Sequence, residues 1–419
     1  MPVCQLSHAP RSWHPAAWRE LPATQQPAWP DAGLLREVTG RLAASPPLTS
    51  ADHVSTLRQA LAQAAVGDAF VVQAGDCAET LDIPGPDEVA AKVDLIHEVA
   101  RTVAPAAGCP VICIGRIAGQ YAKPRTSPTE RVDGREVPSF RGYLINSPEP
   151  VAATRIPDPL RLLRGYRHAR AVHGMLRGLA PSDEQPAGLP ALWTSHEALV
   201  LDYEEPLVRP DRATGGWVLT STHLPWIGLR TSAADGAHVA FLAGVSNPVG
   251  CKIGPDATPA EVLELCRRLD PDREPGRLTL ICRMGADEVA RRLPPLVSAV
   301  ASAGHPVTWV CDPMHGNTCV TRDGRKTRQL TAVLSELRGF FTVLRHAGGW
   351  PGGIHLEATP DDVTECLGGI PPVTEHDLPR RYTTVCDPRL SRHQTIQVAR
   401  CVAELCLAAR PCPAQGRKT

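Results

Sequence analysis

The run Ala69-Phe70-Val71-Val72-Gln73-Ala74-Gly75-Asp76-Cys77-Ala78-Glu79 decides how this chain is read. Residues 70–74 are a short run of mostly apolar, partly β-branched side chains that stops at a glycine and gives way to polar residues. This is the pattern of a strand ending in a loop. Similar runs recur at 110–115, 191–195, 224–228, 249–253, 278–282, 307–311 and 352–356. Amphipathic helical patterns separate most of them, at 87–103, 158–179, 259–269, 286–303 and 327–346, with a last one at 391–409. The connection at 230–248 is less clearly helical. Alternating strands and helices argue for βα units around a parallel sheet. Eight such strands predict an α/β chain folded as one (β/α)8 TIM barrel with an N-terminal helical extension. A doubly wound open sheet competes, but no G-x-G-x-x-G turn supports it.

Working outward, residues 1–68 read as an N-terminal arm and helices, 69–410 as the barrel and 411–419 as a tail. The arm at 13–30 is irregular and rich in Pro and Trp. Helical patterns follow at 32–42 and 51–64, the second with Ser50 or Asp52 as its cap. Residues 180–189 read as a surface loop. The length, 419 residues, accommodates a large barrel with additions. Lys and Arg together number 44 and so do Asp and Glu. A nucleic-acid or membrane-surface protein would carry a basic excess, so neither partner is expected. The start lacks the basic and apolar regions of a secretory signal, and no run is long enough to span a membrane. Many of the 14 cysteines, Cys113, Cys282 and Cys311 among them, lie inside apolar runs. Reduced, buried thiols in a cytoplasmic protein are the expectation.

Barrel enzymes place their chemistry in the loops at the carboxyl ends of the strands. Two constellations stand there. One is cationic: Arg116, Lys123, Arg125, Arg230, Lys252 and Arg283. Six cations at one mouth would repel one another and lose hydration unless anions joined them. Guanidinium groups suit carboxylate and phosphate, so the implied ligand carries one carboxylate and one or two phosphates. The plainer alternative, for any one of them, is an ion pair with a rim carboxylate. The second constellation is Cys77, His315, Glu357 and Asp387, a thiolate, imidazole and carboxylate set able to bind a first-row divalent ion. The set does not choose among manganese, iron, cobalt and zinc. Strands one and eight adjoin when a barrel closes, so the four could meet.

The chain also carries WRELPATQQP, VVQAGDCAET, GRIAGQYAKPRTSP, WTSHEALVLDYEE, HLPWIGLRT, LTLICRMGAD, VTWVCDPMHGNT, PGGIHLEATPDDVTECLGG and VCDPRLSRHQ, in order from about Trp18 to His393. In these stretches it resembles the class II, plant-type 3-deoxy-D-arabino-heptulosonate-7-phosphate synthases. The resemblance implies metal-dependent condensation of phosphoenolpyruvate with erythrose 4-phosphate, at the start of the shikimate pathway or of a secondary-metabolite branch. It implies Cys77, His315, Glu357 and Asp387 as metal ligands, with Mn2+ or Co2+ as the ion. Arg116, Lys252 and Arg283 would hold phosphoenolpyruvate, with Arg230 on its phosphate. Lys123, Arg125 and Thr126 would take the four-carbon aldose phosphate. Lys123, Arg230, Lys252, Arg283 and His315 would be catalytic. A homo-oligomer is expected.

Two positions depart from the family pattern: Leu229 stands where a Glu is common, and Tyr143 where an Asp is common. Both remove a carboxylate near the implied site. The segment between Arg116 and Lys252 is also short, as in members from phenazine and related pathways. The alternatives are a synthase for an amino or imino sugar phosphate and a non-catalytic paralogue acting as an assembly partner.

Overall fold

The computed structural model describes residues 13–132, 134–179 and 191–408; the loop expected at 180–189 and the tail at 411–419 lie outside them. Eight strands, β1 (Phe70–Gly75), β2 (Val111–Arg116), β3 (Trp193–Glu197), β4 (Leu224–Ile227), β5 (Val249–Ile253), β6 (Leu278–Cys282), β7 (Thr308–Cys311) and β8 (Gly353–Glu357), form a closed barrel. Every neighbouring pair is parallel, and β1 closes the ring against β8. Closure brings Gly75 opposite both Arg116 and Glu357. Gly75 has φ +149°, and a Cβ there would lie 2.6 Å from the Arg116 carbonyl oxygen. Glycine is therefore required where the two future site strands flank β1.

Helices α1 (Ala32–Ala43) and α2 (Ala51–Val66) precede the barrel. Ser50, not Asp52, caps α2, accepting the His53 N–H. Around the strands run α3 (Pro86–Ala107), α4 (Leu160–Gly178), α5 (Ala237–Ala243), α6 (Pro259–Leu269), α7 (Val289–Ser302), α8 (Leu330–His346) and α9 (Arg392–Leu407). The α-helical part of the connection after β3 is a single turn, Leu201–Glu204, and α5 is the short helix of the indistinct 230–248 segment. Capping boxes start α6 and α9.

The barrel interior is layered. At the amino end, Leu57, Leu61 and Ala64 of α2 pack with Val71, Ile112, Ile114, Leu224, Ile281 and Val310 in one apolar cluster. Thus α2 is a plug, and each leucine buried there contributes roughly 1.5–3 kcal/mol. Above it lies a hydrogen-bonded layer. Gln73 donates to Ser195 Oγ (2.9 Å) and accepts from His355 Nδ1 (2.7 Å), while Arg116 meets His355 Nε2. The charged mouth lies above that.

Three antiparallel hairpins were not anticipated: Thr129–Val132 with Arg135–Pro138, Val208–Pro210 with Trp217–Leu219, and Thr318–Val320 with Lys326–Arg328. Their strands are three or four residues long, too short to show an apolar run. The last one claims residues 327 and 328 from the helix expected to start there.

Candidate active site

The loop after β7 builds the centre. Asp312 accepts the N–H groups of Met314 (3.1 Å) and His315 (3.2 Å), which folds the chain into the turn His315–Asn317. The same carboxylate accepts from His315 Nδ1 (2.7 Å) and from Lys252 Nζ (2.8 Å) on β5. Burial alone would raise the Asp312 pKa, but His315 and Lys252 outweigh it and hold the group well below the usual carboxylate range. With Nδ1 donating to Asp312, a neutral His315 would present its Nε2 lone pair to an ion on the other side of the ring. Nε2 faces Glu357 Oε1, the carboxylate ending β8, at 3.1 Å.

Glu357 is fully buried. Its Oε1 also meets Arg116 Nη2 (3.0 Å) and Lys123 Nζ (3.5 Å), and its Oε2 accepts from Arg328 Nη2 (2.8 Å). Burial opposes ionisation, and His315, Lys123, Arg328 and Arg116 overcome it. Asp387, in the loop after β8, accepts from Lys123 (2.9 Å) and Lys326 (3.0 Å). Its pKa is likewise held far below the ordinary carboxylate value, with Lys123 the main force against burial.

Donor atoms of His315, Glu357 and Asp387 lie within 4.8 Å of one another. Ligands at roughly 2.0–2.2 Å from a first-row ion, at right angles, are about 3 Å apart. The His315–Glu357 separation has that value, and an imidazole with two carboxylates suits a divalent ion. The residues fit. The fourth expected ligand, Cys77, stands next to them without joining the trio at that spacing. Its sulfur lies 3.1 Å from Thr384 Oγ1 and packs with Cys386 and Phe140. A hydrogen bond from Cys386 lowers its pKa, against burial and with help from Lys123.

The six expected cations divide into two groups. Arg116, Lys123 and Lys252 surround the trio, and Arg283, at the end of β6, donates to the His315 carbonyl (2.7 Å). The second group lines a cleft of about 240 Å³ made by Arg125, Thr126, Ser127, Ser139, Arg230 and Lys326. There Arg230 Nη2 donates to Thr126 Oγ1 (2.7 Å). The resemblance assigns Arg230 to the phosphate of phosphoenolpyruvate, whereas its hydrogen bond here is to the aldehyde element. Carboxylates pair with Arg116, Lys123, Lys252 and Arg125, the last with Glu130. Among the described residues, Arg230 and Arg283 have no carboxylate partner, and Arg283 Nε is buried with no hydrogen-bond partner.

Sequence reasoning missed four contributors. Lys326 opens a three-residue strand too short to mark, and the helix expected from 327 hid the rest of that strand. Arg328, fully buried against Glu357, was hidden in the same way. Asp312 was signalled by its place three residues before His315. Glu197, ending β3, has a buried Oε1 without a hydrogen-bond partner, and burial raises its pKa although Lys252, Lys123, His315 and Arg116 oppose this. Of the two departures, Leu229 is 36% exposed and covers Gly254, where an added Cβ would meet its Cδ2 at 3.0 Å. Tyr143 packs edge-on to Phe140 at 5.2 Å, beside Cys77 and Cys386.

A closed parallel barrel whose mouth gathers a His–Glu–Asp trio able to hold a metal ion, with cationic side chains around it and in a neighbouring cleft, is the arrangement of a (β/α)8 enzyme, and comparison supplies the family. The model of the class-II DAHP synthetase family matches residues 13–190 and 181–403, and the chain belongs to that family. A phospho-2-dehydro-3-deoxyheptonate aldolase of Streptomyces coelicolor is 43% identical, over 93% of this chain and 96% of that one. A probable one of Pseudomonas fluorescens is 48% identical, over 89% and 93%. The AroG enzyme of Mycolicibacterium smegmatis, of the same name, is 40% identical over 92% of each. A crystal structure of the aldolase from Thermotoga maritima shares 17% identity over 81% of this chain and 70% of that one, at a TM-score of 0.41.

Proposed function

We propose that this chain condenses phosphoenolpyruvate, erythrose 4-phosphate and water to 3-deoxy-D-arabino-heptulosonate 7-phosphate and phosphate. The observation that carries the reading is the trio His315, Glu357 and Asp387, held between one cation group fit for a carboxylate and phosphate and a second fit for a phosphate. His315, Glu357 and Asp387 would hold Mn2+ or Co2+, with Cys77 beside them as the fourth donor. When bound, the ion supplies Lewis-acid polarisation of the aldehyde oxygen.

Arg116, Lys252 and Arg283 hold phosphoenolpyruvate, and Lys123, Arg125 and Thr126 hold the aldose phosphate together with Arg230, which lines the same cleft and donates to Thr126. That grip sets the methylene carbon of phosphoenolpyruvate against the aldehyde carbon; the enol electron pair forms the carbon–carbon bond, and the carbonyl pair moves to the aldehyde oxygen, which takes up a proton to become a hydroxyl. Positive charge developing at the enol carbon is quenched by water, and carbon–oxygen cleavage then releases phosphate. Glu197 is suited to accept the proton from that water, because its buried Oε1 makes no competing hydrogen bond. The cations stabilise the charge that accumulates on the departing phosphate.

The same reading treats 69–410 as the catalytic barrel and 1–68 as its extension. It places the enzyme in the cytoplasm as a homo-oligomer; no described helix is long and apolar enough to cross a membrane. Val151, Ile156 and Leu160 are exposed apolar side chains along one segment, as a subunit contact would use. Phosphate release from phosphoenolpyruvate tests the activity: it should require both erythrose 4-phosphate and a divalent ion. Full turnover in exhaustively demetallated protein would refute the metal role, and release with no aldose phosphate present would refute the condensation.

A further inference from the structure

The motif Trp18–Pro27 is accounted for by neither the barrel nor the proposed chemistry, yet the arm that contains it reaches the aldehyde cleft. The arm is fastened to the loop after β3. Trp18 Nε1 donates to Glu205 (2.7 Å), Arg19 pairs with Asp202 (2.9 Å), and Trp29 Nε1 donates to the other Asp202 oxygen (2.8 Å). Between those anchors the backbone turns through Gln25, which has φ +62°. The Gln25 amide is bonded to the Arg125 backbone twice: its Nε2 donates to the carbonyl (3.1 Å) and its Oε1 accepts the N–H (2.9 Å). Thr24 Oγ1 donates to the Arg230 carbonyl (3.3 Å). Arg141 secures the turn from the other side, donating to the Gln25 and Gln26 carbonyls.

We infer that Gln25, assisted by Thr24, is a positioning residue for the aldose-phosphate subsite: a strap that fixes Arg125 and Arg230 on opposite sides of one phosphate. The argument is geometric. Arg125 and Thr126 arise after β2 and Arg230 after β4, so no single element sets their separation. The arm touches the backbone of Arg125 and of Arg230 within two consecutive residues. A left-handed conformation is uncommon outside glycine and persists where the surroundings hold it. Here it turns the Gln25 amide onto Arg125. Pre-set cations bind phosphate without first being ordered, and misplacement by about 1 Å weakens both binding and rate.

The inference rests on the proposed assignment of Arg125 and Thr126 to the aldose phosphate, so the test includes both. Steady-state kinetics are compared for the wild-type holoenzyme, Gln25→Ala, Thr24→Val and Arg125→Ala, with thermal midpoints recorded for each. Gln25→Ala should raise the Michaelis constant for erythrose 4-phosphate about tenfold and leave that for phosphoenolpyruvate unchanged, as the loss of two ordering hydrogen bonds implies. Thr24→Val should shift the same constant in the same direction by less. An arm that serves only folding would lower the thermal midpoint without splitting the two constants, and that result overturns the inference. If Arg125→Ala raises the erythrose 4-phosphate constant while Gln25→Ala and Thr24→Val change neither, the strap is refuted and the subsite stands. If Arg125→Ala itself has no effect on that constant, the subsite assignment fails and the strap with it.

Discussion

Replacing Asp312 by Asn keeps the volume and removes the charge, and its consequences follow from four hydrogen bonds. Asp312 accepts from two backbone N–H groups, from His315 Nδ1 and from Lys252 Nζ. The Asn carbonyl oxygen can replace only part of this, and its NH2 becomes a donor. If that donor faces His315, Nδ1 must accept, the ring proton moves to Nε2, and the lone pair opposite Glu357 is lost. Removing the partner that fixes a ligand's tautomer costs roughly 10–100-fold in metal affinity, or about 1.4–2.7 kcal/mol. Lys252 loses its counter-charge as well. Burial already lowers its pKa and Asp312 opposes that, so in Asp312→Asn the pKa falls further. The ammonium is then lost at lower pH, and affinity for phosphoenolpyruvate should fail earlier as pH rises. Stranding a buried charge also destabilises the fold, by on the order of 3–5 kcal/mol when the group stays charged. Calorimetric titration of Mn2+ into apo-protein, with thermal midpoints, gives the assay. A folded Asp312→Asn protein that binds Mn2+ as tightly as wild type would refute the tautomer argument.

Arg283→Ala should weaken phosphoenolpyruvate and Arg125→Ala the aldose phosphate, each by about 1.5–3 kcal/mol, more than tenfold in the corresponding Michaelis constant; a shift of the same constant by both would show that the two cation groups are misassigned. Glu197 accepts a proton only when ionised and burial raises its pKa, so kcat should fall as pH drops through that raised value; in Glu197→Gln kcat should be low and this acid limb gone, and an unchanged profile would remove Glu197 from the water step. Leu229→Glu restores a carboxylate beside Arg230 and should raise turnover with erythrose 4-phosphate, whereas unchanged kinetics in a folded variant would mean that the side chain only covers Gly254. Leu61→Ala opens the apolar floor and should cost about 2–5 kcal/mol in unfolding free energy with little change in either Michaelis constant, measured by denaturant titration.

The barrel was legible because most strands are largely buried on both faces and mostly apolar; β3, Trp-Thr-Ser-His-Glu, is the polar exception, and the apolar pair Ala191-Leu192 just before it marked its place. All eight expected runs overlap observed strands, with ends moved by at most two residues. What α2 does was not legible. Its amphipathic pattern shows that one face is buried, but not that the face closes the barrel. That His315, Glu357 and Asp387 converge was legible from the ends of β7 and β8 and the following loop, since barrel closure brings those segments together. Cys77 was legible as a neighbour, but its contact with Thr384 depends on the fold of the 383–389 loop. Lys326 was not legible, because it opens a three-residue strand that leaves no periodicity. The grip of Gln25 on Arg125 spans 100 residues and involves backbone atoms, which no side-chain pattern records.

The plug formed by α2 has a consequence for anyone shortening this enzyme. A cut before β1 follows the boundary between extension and barrel, yet it would bare Val71, Ile112, Ile114, Leu224, Ile281 and Val310 at an open end. An apolar patch of that kind invites aggregation. It would also release Thr308, whose hydroxyl donates to the Leu61 carbonyl (3.3 Å). Fusions and circular permutations should therefore carry α2 along with the strands, and new termini are better placed in the exposed turn at Gly215, away from both the floor and the metal donors.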